Sequence, residues 1–211
     1  MSQPIQLRLF NNAEGFEDYV CVILQKNLLP ALTGVYIAWQ YISNLGAGEN
    51  YLFEFSEDLT VEFRDVYGNF SDQLDAQYGL MYKAVKDPSE RFIQEGYAQH
   101  PDEIDVFNAF PQSSIFDHDI IAFCRRSGIK LAAVMSVPPG QRASFKFDST
   151  IFLGVVLPDE IEDWHGLYSV SLDLLPLINT EISLQGISSA DIVMTGGPGL
   201  FEFTLQNVVY A

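Results

Sequence analysis

Asp191-Ile-Val-Met-Thr-Gly-Gly-Pro-Gly199, continued by Leu200-Phe-Glu-Phe-Thr-Leu205, decides the fold class. An apolar run entering a glycine-rich turn is how a phosphate-binding loop begins. Such a loop needs a helix after the glycines, whose first amides face the phosphate, and a Lys that reaches the terminal phosphates. No Lys or Arg follows these glycines, and the alternating Leu200–Leu205 stretch reads as a strand. The segment is therefore predicted to be a hairpin cornered by Gly and Pro.

Similar runs recur along the 211 residues. Ile5–Phe10, Tyr51–Phe55 and Leu59–Phe63 alternate apolar and polar residues, whereas Tyr19–Leu24 is continuously apolar. Val35–Ile42 is β-branched and aromatic. Further candidates cover 79–86, 91–97, 103–108, 115–124, 129–137, 141–147, 150–157, 167–174, 181–187 and 190–195. Turn residues at Asn44–Gly48, Tyr67–Asn69, Ser127-Gly128 and Pro138–Gly140 separate them. This pattern predicts an all-β, antiparallel β-sandwich of roughly a dozen strands. The best helical windows are short, 70–77 and 158–166. With no linker or low-complexity segment, residues 1–211 read as one domain.

An internal echo points to a pseudo-duplicated sandwich. Phe10-Asn11 precedes Gly48, which opens Gly-x4-Phe-x-Phe through Phe53 and Phe55. Phe107-Asn108 precedes Gly140, which opens the same pattern through Phe145 and Phe147. Near the C-terminus Phe201-Glu-Phe203 leads to Leu205-Gln-Asn207. In each case a turn feeds a strand whose alternate phenylalanines share a face.

Composition narrows the function. Hydrophobic residues make up 48 %, enough for a large core, and the net charge is −17, from 28 acidic and 11 basic residues. Nucleic acid is a poor partner for such a chain, because binding it needs a Lys/Arg surface. No signal peptide and no transmembrane segment are read. A cytoplasmic protein is the simplest expectation, although leaderless export would leave no mark in the sequence. Cys21 and Cys124 sit in apolar runs and read as buried free thiols.

Candidate sites are sparse. Asp117 and Asp119 alternate onto one face of a strand end, with His118 on the other, and make a candidate pair for a hard cation such as Ca²⁺. Neither shows the wider spacing of a known metal loop, so no cofactor is expected with Ca²⁺ the one candidate. Trp164, His165 and Tyr168 occupy a predicted loop and are candidate ligand-binding residues, since exposed aromatics stack on sugars or enter membrane interfaces. In Val35–Ile42, Trp39 and Tyr41 share a parity that Tyr36 opposes. No Gly-x-Ser-x-Gly elbow is present. The leading expectation is a non-catalytic soluble β-sandwich that binds a protein or glycan surface or assembles with itself. A carbohydrate- or membrane-surface-binding, toxin-like module is the alternative, and an enzyme with a dispersed acidic and His site is the third class.

Overall fold

The alternation is realised almost throughout. The computed structural model describes residues 3–29, 36–87, 89–111, 118–163 and 167–211. In chain order the strands are β1 (Ile5–Asn11), β2 (Val20–Leu24), β3 (Tyr36–Ile42), β4 (Asn50–Phe55), β5 (Leu59–Arg64), β6 (Leu74–Ala76), β7 (Leu80–Asp87), β8 (Ser89–Tyr97) and β9 (Ile104–Asn108). They continue as β10 (Ile120–Arg126), β11 (Ile129–Val137), β12 (Arg142–Phe145), β13 (Thr150–Val156), β14 (Glu162–Asp163), β15 (Tyr168–Val170), β16 (Thr180–Ser183), β17 (Ile187–Gly197) and β18 (Leu200–Tyr210). The opening segment is the β17–β18 hairpin, with Gly197 paired to Leu200 across Pro198-Gly199. Both helical windows fail: 70–77 contains β6, and 158–166 begins with a short 3₁₀ turn, Pro158–Glu160. The apolar 167–174 run is a strand for three residues only, and Leu172–Leu177 then coils as 3₁₀.

The chain divides into two compact units. Unit 1 comprises Met1–Lys26, Val35–Glu57 and Ser149–Ala211, and unit 2 comprises Asn27–Gly34 and Asp58–Asp148. In unit 1 a β18-β17-β1-β4 sheet packs on a β14-β15-β3-β2-β13-β16 sheet. Trp39 of β3 stands edge-on to Phe53 and Phe55 of β4, at 5.9 and 5.8 Å between ring centres. In unit 2 the sheets are β8-β7-β9-β12 and β11-β10-β5-β6, joined by Phe63 of β5 edge-on to Phe92 of β8 at 5.4 Å. The sheets are not wholly antiparallel, since β1 runs parallel to β17 and β9 parallel to β7.

The two units share one topology, which is the duplication heard in the sequence. Strands β1–β4 correspond to β9–β12, and β13, β16, β17 and β18 correspond to β5–β8. Each unit thus joins the first half of one repeat to the second half of the other. The Phe-Asn…Gly echo marks an identical clasp. Asn11 donates its amide to Glu49 O and accepts Gly48 N–H; Asn108 does the same with Gln141 O and Gly140 N–H. The Asn11 side chain donates to Leu45 O and accepts Ala13 N–H, and that of Asn108 donates to Val137 O and His118 O and accepts Phe110 N–H. Gly48 and Gly140 hold φ of +79° and +80°, a conformation that favours glycine. The hairpins β7–β8 and β17–β18 carry matching bulges, where Gly96 (φ +100°) and Asn207 (φ +48°) stand at equivalent places.

The main difference lies on the outer faces of the second sheets. Residues 157–163 and 167–179 of unit 1 form a strap over β2 and β13. Ile161, Val170, Leu174 and Ile178 bury Val20, Val22, Leu24 and Val156, each such side chain contributing about 1.5–3 kcal/mol. A Cβ on Gly154 would sit 2.4 Å from the Leu177 carbonyl oxygen, so only glycine lets the strap approach. Unit 2 joins β5 to β6 through residues 65–73 alone, a turn closed by the Asp65 carboxylate on the Asn69 backbone and side-chain amides, both at 2.8 Å.

Candidate functional site

The residues nominated from sequence are described only in part. Trp164, His165 and Asp117 lie outside the described residues. Tyr168 of β15 stacks on Tyr41 of β3, rings 4.2 Å apart and 11° from parallel. Burial, and then the neighbouring Tyr168, raise the Tyr41 phenol above its usual range. The shared parity of Trp39 and Tyr41 does not survive. The register shifts where Leu24 pairs with Ala38 and Ile23 with Gln40, so Trp39 is the extra residue of a bulge. Trp39 therefore enters the core while Tyr41 faces outward. Asp119 accepts the Ser136 hydroxyl at 2.5 Å, and His118 stands edge-on to Phe110. Among the described residues no group of three or more His, Cys, Asp or Glu is gathered for a metal. Cys21 and Cys124 are free and buried; burial raises both thiols, Cys124 to about 12.

The sheet edges differ more than the loops do. An edge strand exposes unpaired amides and carbonyls, and charges, cover or bulges normally blunt it. In unit 2, β8 carries the exposed Arg91 and Glu95, the latter ion-paired with Lys83 at 3.4 Å. The β12 side is followed by Asn27 and Leu28: Asn27 takes the Lys146 amide and donates to Ser144 O, and Leu28 N–H bonds Lys146 O. In unit 1, β18 runs for 11 residues with Glu202 as its one charge. Leu200, Val209 and Tyr210 stand exposed there, at 68, 54 and 73 %. Among the described residues β18 has no ladder partner besides β17.

A second feature escaped the sequence reading. On the outer face of unit 2, Glu62 and Arg64 of β5, Phe123 and Arg125 of β10, Lys130 of β11 and Phe70 gather side by side. The buried Glu62 carboxylate accepts Arg125 Nη2 at 2.5 Å, and Arg125 Nη1 bonds Gly128 O at 2.7 Å. Lys130 Nζ lies 4.8 Å from the Phe70 ring centre and 4.7 Å from that of Phe123, while Arg64 reaches Phe70 at 5.7 Å. The one signal available was Arg125-Arg126 ending an apolar strand in a chain with 11 cations.

No protein-family model, curated protein or solved structure matches the chain. No helix among the described residues is long and apolar enough to cross a membrane.

Proposed function

We propose that this protein is a non-catalytic binding module that works by strand association, the β18 edge of one copy pairing with the β18 edge of another. The contrast between β18 and its duplicate β8 carries this reading: the same edge is guarded by charge in unit 2 and left almost uncharged in unit 1. Eleven residues offer an edge of about 36 Å. Antiparallel pairing centred on Phe203 sets Glu202 opposite Thr204 of the second copy, so no like charges face each other. In a chain of net charge −17, such a strip is where two copies approach with least repulsion.

Sedimentation equilibrium tests the reading. The chain is expected to dimerise, and Leu200→Lys with Gln206→Lys, exposed positions that face each other across the two copies in that register, is expected to give a monomer with an unchanged melting temperature. The two lysines lower the net negative charge, so general repulsion does not account for dissociation. A wild-type chain monomeric at every concentration removes the proposal. The Tyr41–Tyr168 stack supports a second reading, a platform for a sugar ring. Tyrosine fluorescence that stays constant through a glycan titration would dismiss it.

A further inference from the structure

We infer that the Glu62–Arg64–Arg125–Lys130 face of unit 2 binds a carboxylate borne on an apolar group, the carboxylate at Lys130 and the apolar part on Phe70. The inference rests on the duplication and is independent of strand association. Residue by residue, the cross-strand registers align this face with the strapped face of unit 1. Glu62 opposite Phe123 matches Gly154 opposite Val22, and Arg64 opposite Ile121 matches Val156 opposite Val20. Both β-strand pairs then shift register at the same step, between Cys124 and Arg125 and between Ile23 and Leu24. Arg125 thereby matches Leu24, and Lys130 matches Ala38. Unit 1 fills this place with its own apolar strap; among the described residues unit 2 has no strap, and it has exchanged four small or aliphatic residues for charged ones. An occupant of the second face must therefore answer charge as well as apolar surface.

The polar groups there are incompletely answered. Lys130 sits between two phenyl rings, and its ammonium makes no hydrogen bond or ion pair with a described residue. Burial and the nearby Arg125 and Arg64 disfavour its charged form, with Glu62 opposing them. Arg125 Nε and Thr60 Oγ1, on residues that face each other across β10 and β5, are buried with no hydrogen-bond partner among the described residues. Buried donors in native proteins are normally satisfied, so a cluster of open ones beside an unpaired ammonium favours an incoming acceptor. Phe70 is 49 % exposed and offers the apolar contact. Glu62, 2 % exposed, lies in the middle of the cations and weighs against a doubly charged phosphate more than against a single carboxylate.

Amide chemical shifts of the ¹⁵N-labelled full chain, titrated with benzoate, benzamide and inorganic phosphate, test this. Benzoate is expected to give saturable shifts at residues 60–64, 70 and 123–130. Benzamide and phosphate are expected to leave those signals in place. Lys130→Gln is expected to weaken benzoate about tenfold, the loss of one charge-assisted bond, with the melting temperature unchanged. Should that variant fold poorly, Arg64→Gln is the second measurement, with weakening in the same direction. Equal response to benzamide, an equal or stronger response to phosphate, no response to benzoate, or unweakened benzoate binding in the folded variants each overturns the inference.

Discussion

Unit 1 and unit 2 share strand order, clasp and bulge, yet bury the outer faces of their second sheets in opposite ways. In unit 1 the face reads Val20, Val22, Leu24, Gly154 and Val156 beneath a strap. In unit 2 the matching positions read Ile121, Phe123, Arg125, Glu62 and Arg64, and the strap is replaced by a short turn. A sheet is specified by its inner face and its turns. Its outer face is free to change once the connection above it changes length. The clasp residues stayed because each satisfies several buried backbone groups at once, whereas a face residue answers only to what covers it.

Exchanging the two faces at one position gives the largest expected effect. Gly154→Glu installs in unit 1 the residue that unit 2 carries, against the Leu177 carbonyl and the Ile178 backbone. It is expected to displace the strap and destabilise the protein by about 4 kcal/mol, read by urea unfolding. A stable Gly154→Glu variant would mean that the strap does not define the difference between the units. Next come the clasps. Asn108→Ala leaves three side-chain hydrogen bonds unmade and Asn11→Ala leaves two, so losses of about 3 and about 2 kcal/mol are expected in that order. The reverse order would show that the two clasps bear load differently.

The smallest effect concerns the outer faces of the first sheets. Arg8 of β1 grips Asp191 of β17 at 2.9 and 3.1 Å, and Asn207 adds a third bond at 2.7 Å. In unit 2 the charge on the central strand is reversed, with Asp105 of β9 held by Arg142 and Ser144. The hydrogen bonds from Arg8 and then Asn207 lower the Asp191 pKa. Its folded value lies below its unfolded one, near 3.9, so its contribution is present above that pH and is lost as pH falls through the folded value. Wild type and Asp191→Asn are thus expected to differ in urea midpoint at pH 6 and to converge as the pH falls through the lowered folded value. A gap that persists there would assign the effect to packing.

Much of the fold was readable because period-two alternation and positive-φ turns are local. The hairpin at Pro198-Gly199 follows from its own residues, and the clasp showed itself because Asn, Gly and paired Phe are each needed where they stand. The bulge at Trp39 was not readable, since two residues opposing one is a property of a strand pair. The end of the 167–174 run looked like a strand because its leucines are apolar, but Leu172–Leu177, with Pro176 and the approach to Gly154, bends into the strap. The cationic face stayed hidden because β5, β10 and β11 supply it from separate stretches of chain. The metal pair at Asp117 and Asp119 was read from parity alone, and its one described member, Asp119, accepts the Ser136 hydroxyl.

The crossed inheritance of the two units sets a schedule for synthesis. Unit 2 holds all eight of its strands within one continuous stretch, 58–148, whereas β1 must wait for β17, some 180 residues further along. At ribosomal speed that delay is on the order of ten seconds. Through it β1–β4 remain a half-sandwich with bare apolar sides, while the inner unit closes first. The nascent N-terminal segment is therefore the stage at which this chain most needs a chaperone.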